Sequence, residues 1–321
     1  MSYDSRVSSI LLSPLAIDLT FGLQEFYRYK TSDGELSFSE AKAVRELGLS
    51  QRKATIYTCS TFEPTLADGI GEIKSIKNQS VAVVPLIGTM LADGGLSTPS
   101  IDFTSSQLEA AAANPNIAGI VLRTNSGGGE VTAAQRLSNT LQGINKPVVM
   151  FVDGMAASGA YWSGCYCNEI IMGGATTRVG SIGVVFDLDK RVIEDIKANY
   201  KYILSDGSEG KRANVEALIN GDDNYFKVNA LNPIMKHFRD VVIKGRANAK
   251  NPLDMSFIKT DGNDAGGRMT KDANEAIRAG LADSKGTLQD AMKRVIALSK
   301  RYKRKDEKAQ LKANFNRIKT A

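Results

Sequence analysis

The chain has 321 residues, 42% hydrophobic and 24% charged, the balance of a soluble globular protein with a sizeable core. Its three cysteines, Cys59, Cys165 and Cys167, lack the regular spacing of a disulfide framework, and Cys165-x-Cys167 lacks the partners of a zinc site, so both read as packing residues. The formal charge of +6 is uneven: residues 291–321 hold 11 Lys and Arg against Asp306 and Glu307, and everything before them is slightly acidic.

That basic tail reads as a solvated helix end or disordered tail, or as a tether to an acidic partner. No basic surface interleaved with aromatics is visible, so specific nucleic-acid recognition is not expected. The apolar run Ile10-Leu11-Leu12 has no basic lead and is interrupted by Pro14 and Asp18, so no signal peptide is expected. Nothing approaches 18 uninterrupted apolar residues, so no membrane span is expected either.

Residues 1–79 read as a lead-in, with "SFSEAKAVRELGLSQRKA" helical and Ile56–Lys77 mixed. From Ser80 the pattern changes. "SVAVVPLIGTM" is a buried-strand run, "SSQLEAAAANP" a helix ending at Pro115, and "IAGIVLRTNS" a second strand leading into Gly127, Gly128 and Gly129. "VTAAQRLSNTLQGI" is a helix, "PVVMFVDGM" a third strand, "SGAYWSGCYC" a short helix and "EIIMGG" a fourth strand. Strands alternating with helices of this length are βαβ units. Apolar runs without period-two alternation are strands covered on both faces. The fold class is therefore α/β with a largely parallel sheet.

Further on, "LDKRVIEDIKANY" reads as helix, "KYILSD" as strand, and "NVEALING" and "NYFKVNALNPIMKHFRDVVIKGRANAK" as helical. "KDANEAIRAGL" and "GTLQDAMKRVIALSKRYK" complete a helical C-terminal part.

Chemistry in a parallel sheet sits past the carboxyl ends of strands. Two features lie there. Ser158 is flanked by Gly154, Ala156, Ala157, Gly159 and Ala160, which leave room for another backbone to approach. It is a candidate nucleophile, or simply a helix N-cap. The glycine triplet reads as a loop whose amides can converge on an anion, or as a connector. It matches neither a Gly-x-x-x-x-Gly-Lys phosphate loop nor a Gly-x-Gly-x-x-Gly dinucleotide fingerprint, so an oxyanion hole is the better functional reading. His237, the single histidine, lies in a helical stretch and reads as structural or exposed. A desolvated lysine can serve as base instead, and Lys211 in "ILSDGSEGKRANVE" is a candidate.

Taken together, these segments resemble the signal peptide peptidase A family of serine proteases, over about residues 80–290, and within it the bacteriophage prohead or capsid maturation branch. The family's Asp-Ser-Pro-Gly-Gly-x-Val stretch is similar to Asn125–Val131, its nucleophile segment to "GMAASGAYW", and its "GSIGV" to Gly180–Val184. Its late pattern is similar to Gly267-Arg268, Ala276, Gly280-Leu281-x-Asp283, Gly286 and Ala291. The lead-in "SPLAIDLTFGLQEFY" is similar to the N-terminal segment of the phage branch.

The resemblance implies a crotonase/Clp-protease-like β-α spiral. It implies a protease domain over residues 80–290 between the lead-in and a basic C-terminal helix or tail over 291–321. It implies Ser158 as nucleophile, Lys211 as general base with Lys201 and Lys190 as fallbacks, and the amides of Gly128 and Gly159 as oxyanion donors. No metal or cofactor is implied. Polypeptide substrates, scaffold and capsid proteins among them, self-association into a homo-oligomer and a cytoplasmic or prohead location are implied. Gly127 stands for the family's proline and Asn125 for its aspartate, so a looser loop is expected. The alternatives are a cellular protease of the signal-peptide-peptidase kind and a crotonase-fold acyl-CoA enzyme.

Overall fold

The computed structural model describes residues 15–17, 52–58, 64–65, 78–94, 98, 100–258 and 267–302. The helix expected over "SFSEAKAVRELGLSQRKA" falls almost wholly outside these residues, as do Cys59 and the tail after Tyr302.

In chain order the elements are β1 (Leu15–Ile17), β2 (Thr55–Tyr57), β3 (Pro64–Thr65), β4 (Ser80–Met90), α1 (Ile101–Ala113), β5 (Ile117–Glu130), α2 (Val131–Gly143) and β6 (Val148–Ala157). There follow α3 (Gly159–Gly164), β7 (Glu169–Met172), β8 (Arg178–Gly180), α4 (Lys190–Asn199), α5 (Ala213–Ile219) and α6 (Asp223–Phe226). A π-helical turn, Lys227–Leu231, carries α6 into α7 (Asn232–Gly245). The chain closes with α8 (Ala273–Arg278), β9 (Ser284–Lys285) and a helix over residues 288–302, α9.

One sheet runs in the order β3-β2-β4-β5-β6-β7-β9, with β1 added to β5 and β8 to β6. The pairs β4/β5, β5/β6, β6/β7, β6/β8 and β7/β9 are parallel, whereas β1, β2 and β3 join antiparallel. The expected α/β architecture with a largely parallel sheet and a helical C-terminal part is thus present. The described strands of the lead-in belong to that same sheet.

The apolar runs are explained by alternation that is apolar in both phases. Ala82, Val84, Ile120, Leu122, Met150, Val152, Ile170 and Met172 face the larger core with the helices α1, α2, α3 and α7. Val81, Val83, Val121, Val149, Phe151 and Ile171 face Ala291, Met292, Val295 and Leu298 of α9. Successive strand residues point to opposite faces, so a strand buried on both sides can spare no polar residue. The helix α9 runs through the position where the basic tail was expected to begin, and its Arg294 is paired with Glu169 at the start of β7, with Nε 2.6 Å from Oε2.

Two local readings differ from the sequence. "KYILSD" is not a strand: residues 201–205 are irregular and exposed. Its aromatic and β-branched composition favours a strand only where a neighbouring strand offers a ladder, and among the described residues none pairs with it. The helix read through Lys250 ends at Gly245. There a Cβ would stand 2.7 Å from Cys165 Sγ and 2.8 Å from the Cys165 carbonyl, so glycine lets the end of α7 press against the end of α3.

Beside that contact lies a buried ion pair. Arg246 Nη2 is 2.8 Å and Nη1 3.1 Å from the two carboxylate oxygens of Asp283, and Arg246 Nε donates to Gly280 O at 3.0 Å. Asp283 also accepts the Ile170 amide at 2.7 Å. The late Gly-Leu-x-Asp stretch therefore ties α7 to β7. Tyr161 of α3 joins the same knot by donating its hydroxyl to Leu281 O at 2.9 Å.

Candidate active site

The strand β6 leads straight into Ser158. Ala156 and Ala157 are fully buried, and so is Ser158, with no exposed surface. Its backbone sits at φ 51°, ψ −119°, a conformation that L-residues seldom adopt. Strain of this kind costs about 1–3 kcal/mol and persists where the surroundings over-determine it.

The surroundings of Ser158 do so. Its amide donates to Gly180 O at 2.8 Å, and its carbonyl receives the Trp162 amide at 2.8 Å, opening α3. The hydroxyl Oγ lies 3.4 Å from Gly183 O, a long contact that leaves it weakly held. Ser158 occupies the N-cap position, yet its side chain makes no capping bond. The capping reading therefore fails, and the Gly183 carbonyl is the hydroxyl's hydrogen-bond partner.

Gly180 and Gly183, both in "GSIGV", meet Ser158 with main-chain carbonyls. Gly180 (φ 124°) is itself pressed against Arg268 O, 2.7 Å from where a Cβ would be. Sequence reasoning finds this motif but no role for it, because a carbonyl carries no side-chain signature.

The glycine triplet is not a loop. It is the end of β5, paired with β4 through Thr89↔Gly128 and Met90↔Gly129, and with β1 through Ile17↔Gly128, Ala16↔Gly129 and Leu15↔Glu130. A Cβ on Gly129 would lie 2.0 Å from the Met90 carbonyl, so a close strand approach requires glycine there. Gly128 has φ 92° and its amide donates to Ser126 Oγ at 3.1 Å. Ser126 in turn donates to Gly88 O at 2.6 Å. This buried serine, which sequence reasoning passes over, holds the candidate oxyanion donor in place.

Asn125, standing for the family's aspartate, receives the Met155 amide on Oδ1 at 3.3 Å and lies against Gly154. A carboxamide oxygen thus serves where a carboxylate oxygen would. Gly159 opens α3, so no carbonyl inside that helix receives its amide.

Lys211 is exposed on a short 3-10 turn, Glu209–Arg212, where its amide donates to Ser208 O at 3.0 Å. Lys201 and Lys190 are exposed as well. Ser158 and Gly128 are brought together by β5 and β6; Lys211 is carried on a separate peripheral stretch. His237 is exposed, with Nε2 3.0 Å from Gln135 Oε1 and its ring 5.4 Å from Trp162. These contacts account for it structurally.

Among the described residues, no cluster of His, Cys, Asp or Glu could hold a metal ion, and no helix is long and apolar enough to cross a membrane. Cys165 and Cys167 are buried, and burial raises both thiols, that of Cys167 to about 12.

Comparison with known proteins places these segments. Over 86 residues the chain is 42% identical to "Protease 4" of Salmonella typhi, covering 26% of this chain and 14% of that protein. It is 31% identical over 140 residues to "Protease 4" of Haemophilus influenzae, covering 42% and 22%. The matches thus span less than a quarter of these relatives' own length. Among solved structures, a ClpP1 mutant from Listeria monocytogenes is similar at 13% identity and a TM-score of 0.39, covering 65% of this chain and 94% of that one. Residues 94–168, with the glycine strand and Ser158, match the family "Clp protease". Residues 140–301, with Ser158, "GSIGV" and the Gly-Leu-x-Asp stretch, match "Peptidase family S49" over half the chain, and the chain belongs to that family.

Proposed function

We propose that the chain is a serine endopeptidase in which Ser158 is the nucleophile, Lys211 the general base, and the amides of Gly128 and Gly159 the oxyanion donors. The observation that carries this reading is the strained, buried Ser158 at the end of β6, with a weakly held hydroxyl. In the proposed reaction the neutral Lys211 amine takes the Ser158 proton as Oγ attacks the scissile carbonyl. The Gly128 amide exchanges the Ser126 hydroxyl for the developing oxyanion, beside the Gly159 amide. The Lys211 ammonium then protonates the leaving amine, and a water activated in the same way hydrolyses the acyl-enzyme.

Lys211 reaches the site, in this reading, from a neighbouring copy of the chain. What supports this is the surface around it. All eight exposed large apolar side chains among the described residues lie between Tyr200 and Ile243, and Ile203 is 86% exposed. Helix α4 has no fully buried residue. Four of the eight, Tyr200, Tyr202, Ile203 and Leu204, follow closely along the chain just before Lys211, which fits an interaction surface, and covering it would take the amine out of water.

The physiological role proposed is head maturation in a phage or prophage, cutting scaffold and capsid proteins inside an immature shell. The resemblance of "SPLAIDLTFGLQEFY" to the phage branch supports it. The basic tail is proposed to hold the enzyme to an acidic partner there; deletion after Lys300 then abolishes packaging into shells while leaving Ser158 reactivity intact.

The central test is complementation. Ser158→Ala and Lys211→Met each lower cleavage of unfolded casein by at least about 1,000-fold. Mixing the two variants restores part of the activity, because one copy supplies the serine and its neighbour the lysine. Fluorophosphonate labelling read by mass spectrometry finds the adduct on Ser158. Tight coenzyme A binding without labelling would instead favour the acyl-CoA reading.

A further inference from the structure

A protease holds an extended substrate by main-chain hydrogen bonds to a strand edge. Such an edge lies beside Ser158, and the chain fills it itself. Strand β6 accompanies β5 as far as Ser126↔Ala156, then leaves through the turn at Ser158. Two residues further along β5 stands Gly128, level with the place Ser158 would have taken had β6 continued. The opposite edge of Gly128 and Gly129 is already occupied by β4. β1 pairs with the same two glycines and Glu130, so it takes the edge that β6 vacates. It also lies against α2 and α3, the helices that begin at Val131 and Gly159.

The direction fits an occupant rather than a mere neighbour. β1 runs antiparallel to β5, entering at Glu130 and ending with Ile17 opposite Gly128, at the Ser158 end. An extended polypeptide whose acyl side approached this serine would run the same way. Ser158 meanwhile has no exposed surface, although a substrate has to reach it.

We propose that β1 is a built-in occupant of the substrate cleft: Leu15–Ile17 lie where the acyl side of an extended substrate would lie, and the resting chain blocks its own nucleophile until this strand is displaced. The proposal rests on the reading of Ser158 as nucleophile and adds the regulation of that site.

Ala16→Pro tests it, since a proline opposite Gly129 removes an amide from the ladder. The readout is the rate of Ser158 labelling by a fluorophosphonate, which scales with the fraction of chains whose cleft is open. The full-length Ala16→Pro chain should label about tenfold faster than the unmutated chain. A synthetic peptide of residues 11–17, LLSPLAI, should slow it again, whereas a scrambled peptide should not.

Hydrogen exchange on the unmutated chain covers the case in which Ala16→Pro misfolds. Modification of Ser158 by an alanine tripeptide phosphonate should expose the amides of residues 15–17 and leave those of β2 protected. Equal labelling rates in two folded chains, or unchanged exchange at residues 15–17, overturns the self-block while Ser158 remains the nucleophile. Absence of any Ser158 adduct in either chain overturns both the self-block and the reading beneath it.

Discussion

The strands that converge on Ser158 and the stretch that carries Lys211 are built on opposite terms. Around Ser158 most residues of β4, β5 and β6 are buried, and the strained backbone is clamped by Gly180 O on one side and the opening of α3 on the other. Around Lys211 a few contacts hold the surface. Arg212 lies 3.2 Å over the Tyr202 ring and pairs with Glu216 at 3.2 Å, while Tyr200, Tyr202, Ile203 and Leu204 stay exposed. The contrast teaches that one half of the proposed chemistry is paid for by folding, and the other half awaits a surface to cover it.

Substitutions probe both sides of that contrast. The largest stability effect belongs to the buried knot behind α3. Asp283→Ala strands Arg246 without its carboxylate and should cost about 3–5 kcal/mol, read as a lower denaturant midpoint. Alkali acts next. The thiols of Cys165 and Cys167 are raised by burial, so the unfolded chain loses these protons first. Their stabilising contribution is complete below about pH 8.5 and declines above it, by about 1.4 kcal/mol per pH unit and thiol. Cys165→Ala with Cys167→Ala should flatten the alkaline limb of a stability–pH curve.

Ser158→Gly should go the other way. It removes the side chain that makes φ 51° costly and should raise stability by about 1–2 kcal/mol while cleavage disappears. A loss of stability there would show that the turn carries no strain. On the peripheral stretch, Ile203→Asp should change chain stability by less than about 0.5 kcal/mol. Particle size by light scattering and cleavage should nevertheless both fall. An unchanged particle with full cleavage would remove the case for a base supplied by a neighbour.

Much of the core was legible in the sequence because strands buried on two faces leave apolar runs that little else produces. Ser158 was legible for a related reason: small residues on both sides of one serine at a strand end are a steric statement. The glycine triplet reads as a loop because glycine signals freedom, whereas Gly129 is there because β4 leaves no space for a Cβ. "KYILSD" failed for the opposite reason, its composition promising a strand where the fold offers no neighbour. Ser126, Gly180 and Gly183 act through a buried hydroxyl and two carbonyls, and nothing in a sequence announces a carbonyl. Lys211 is singled out by resemblance and segment order, and the fold of one chain leaves it exposed.

The contact of Gly245 with Cys165 gives the molecule a lever. The helix returning from the Lys211 side presses its last turn onto the last turn of the helix that starts at Ser158, with no slack for even a methyl group between them. Close-packed interiors transmit displacement rather than absorb it. A shift imposed on α7 by docking would therefore arrive at the serine along two short rods.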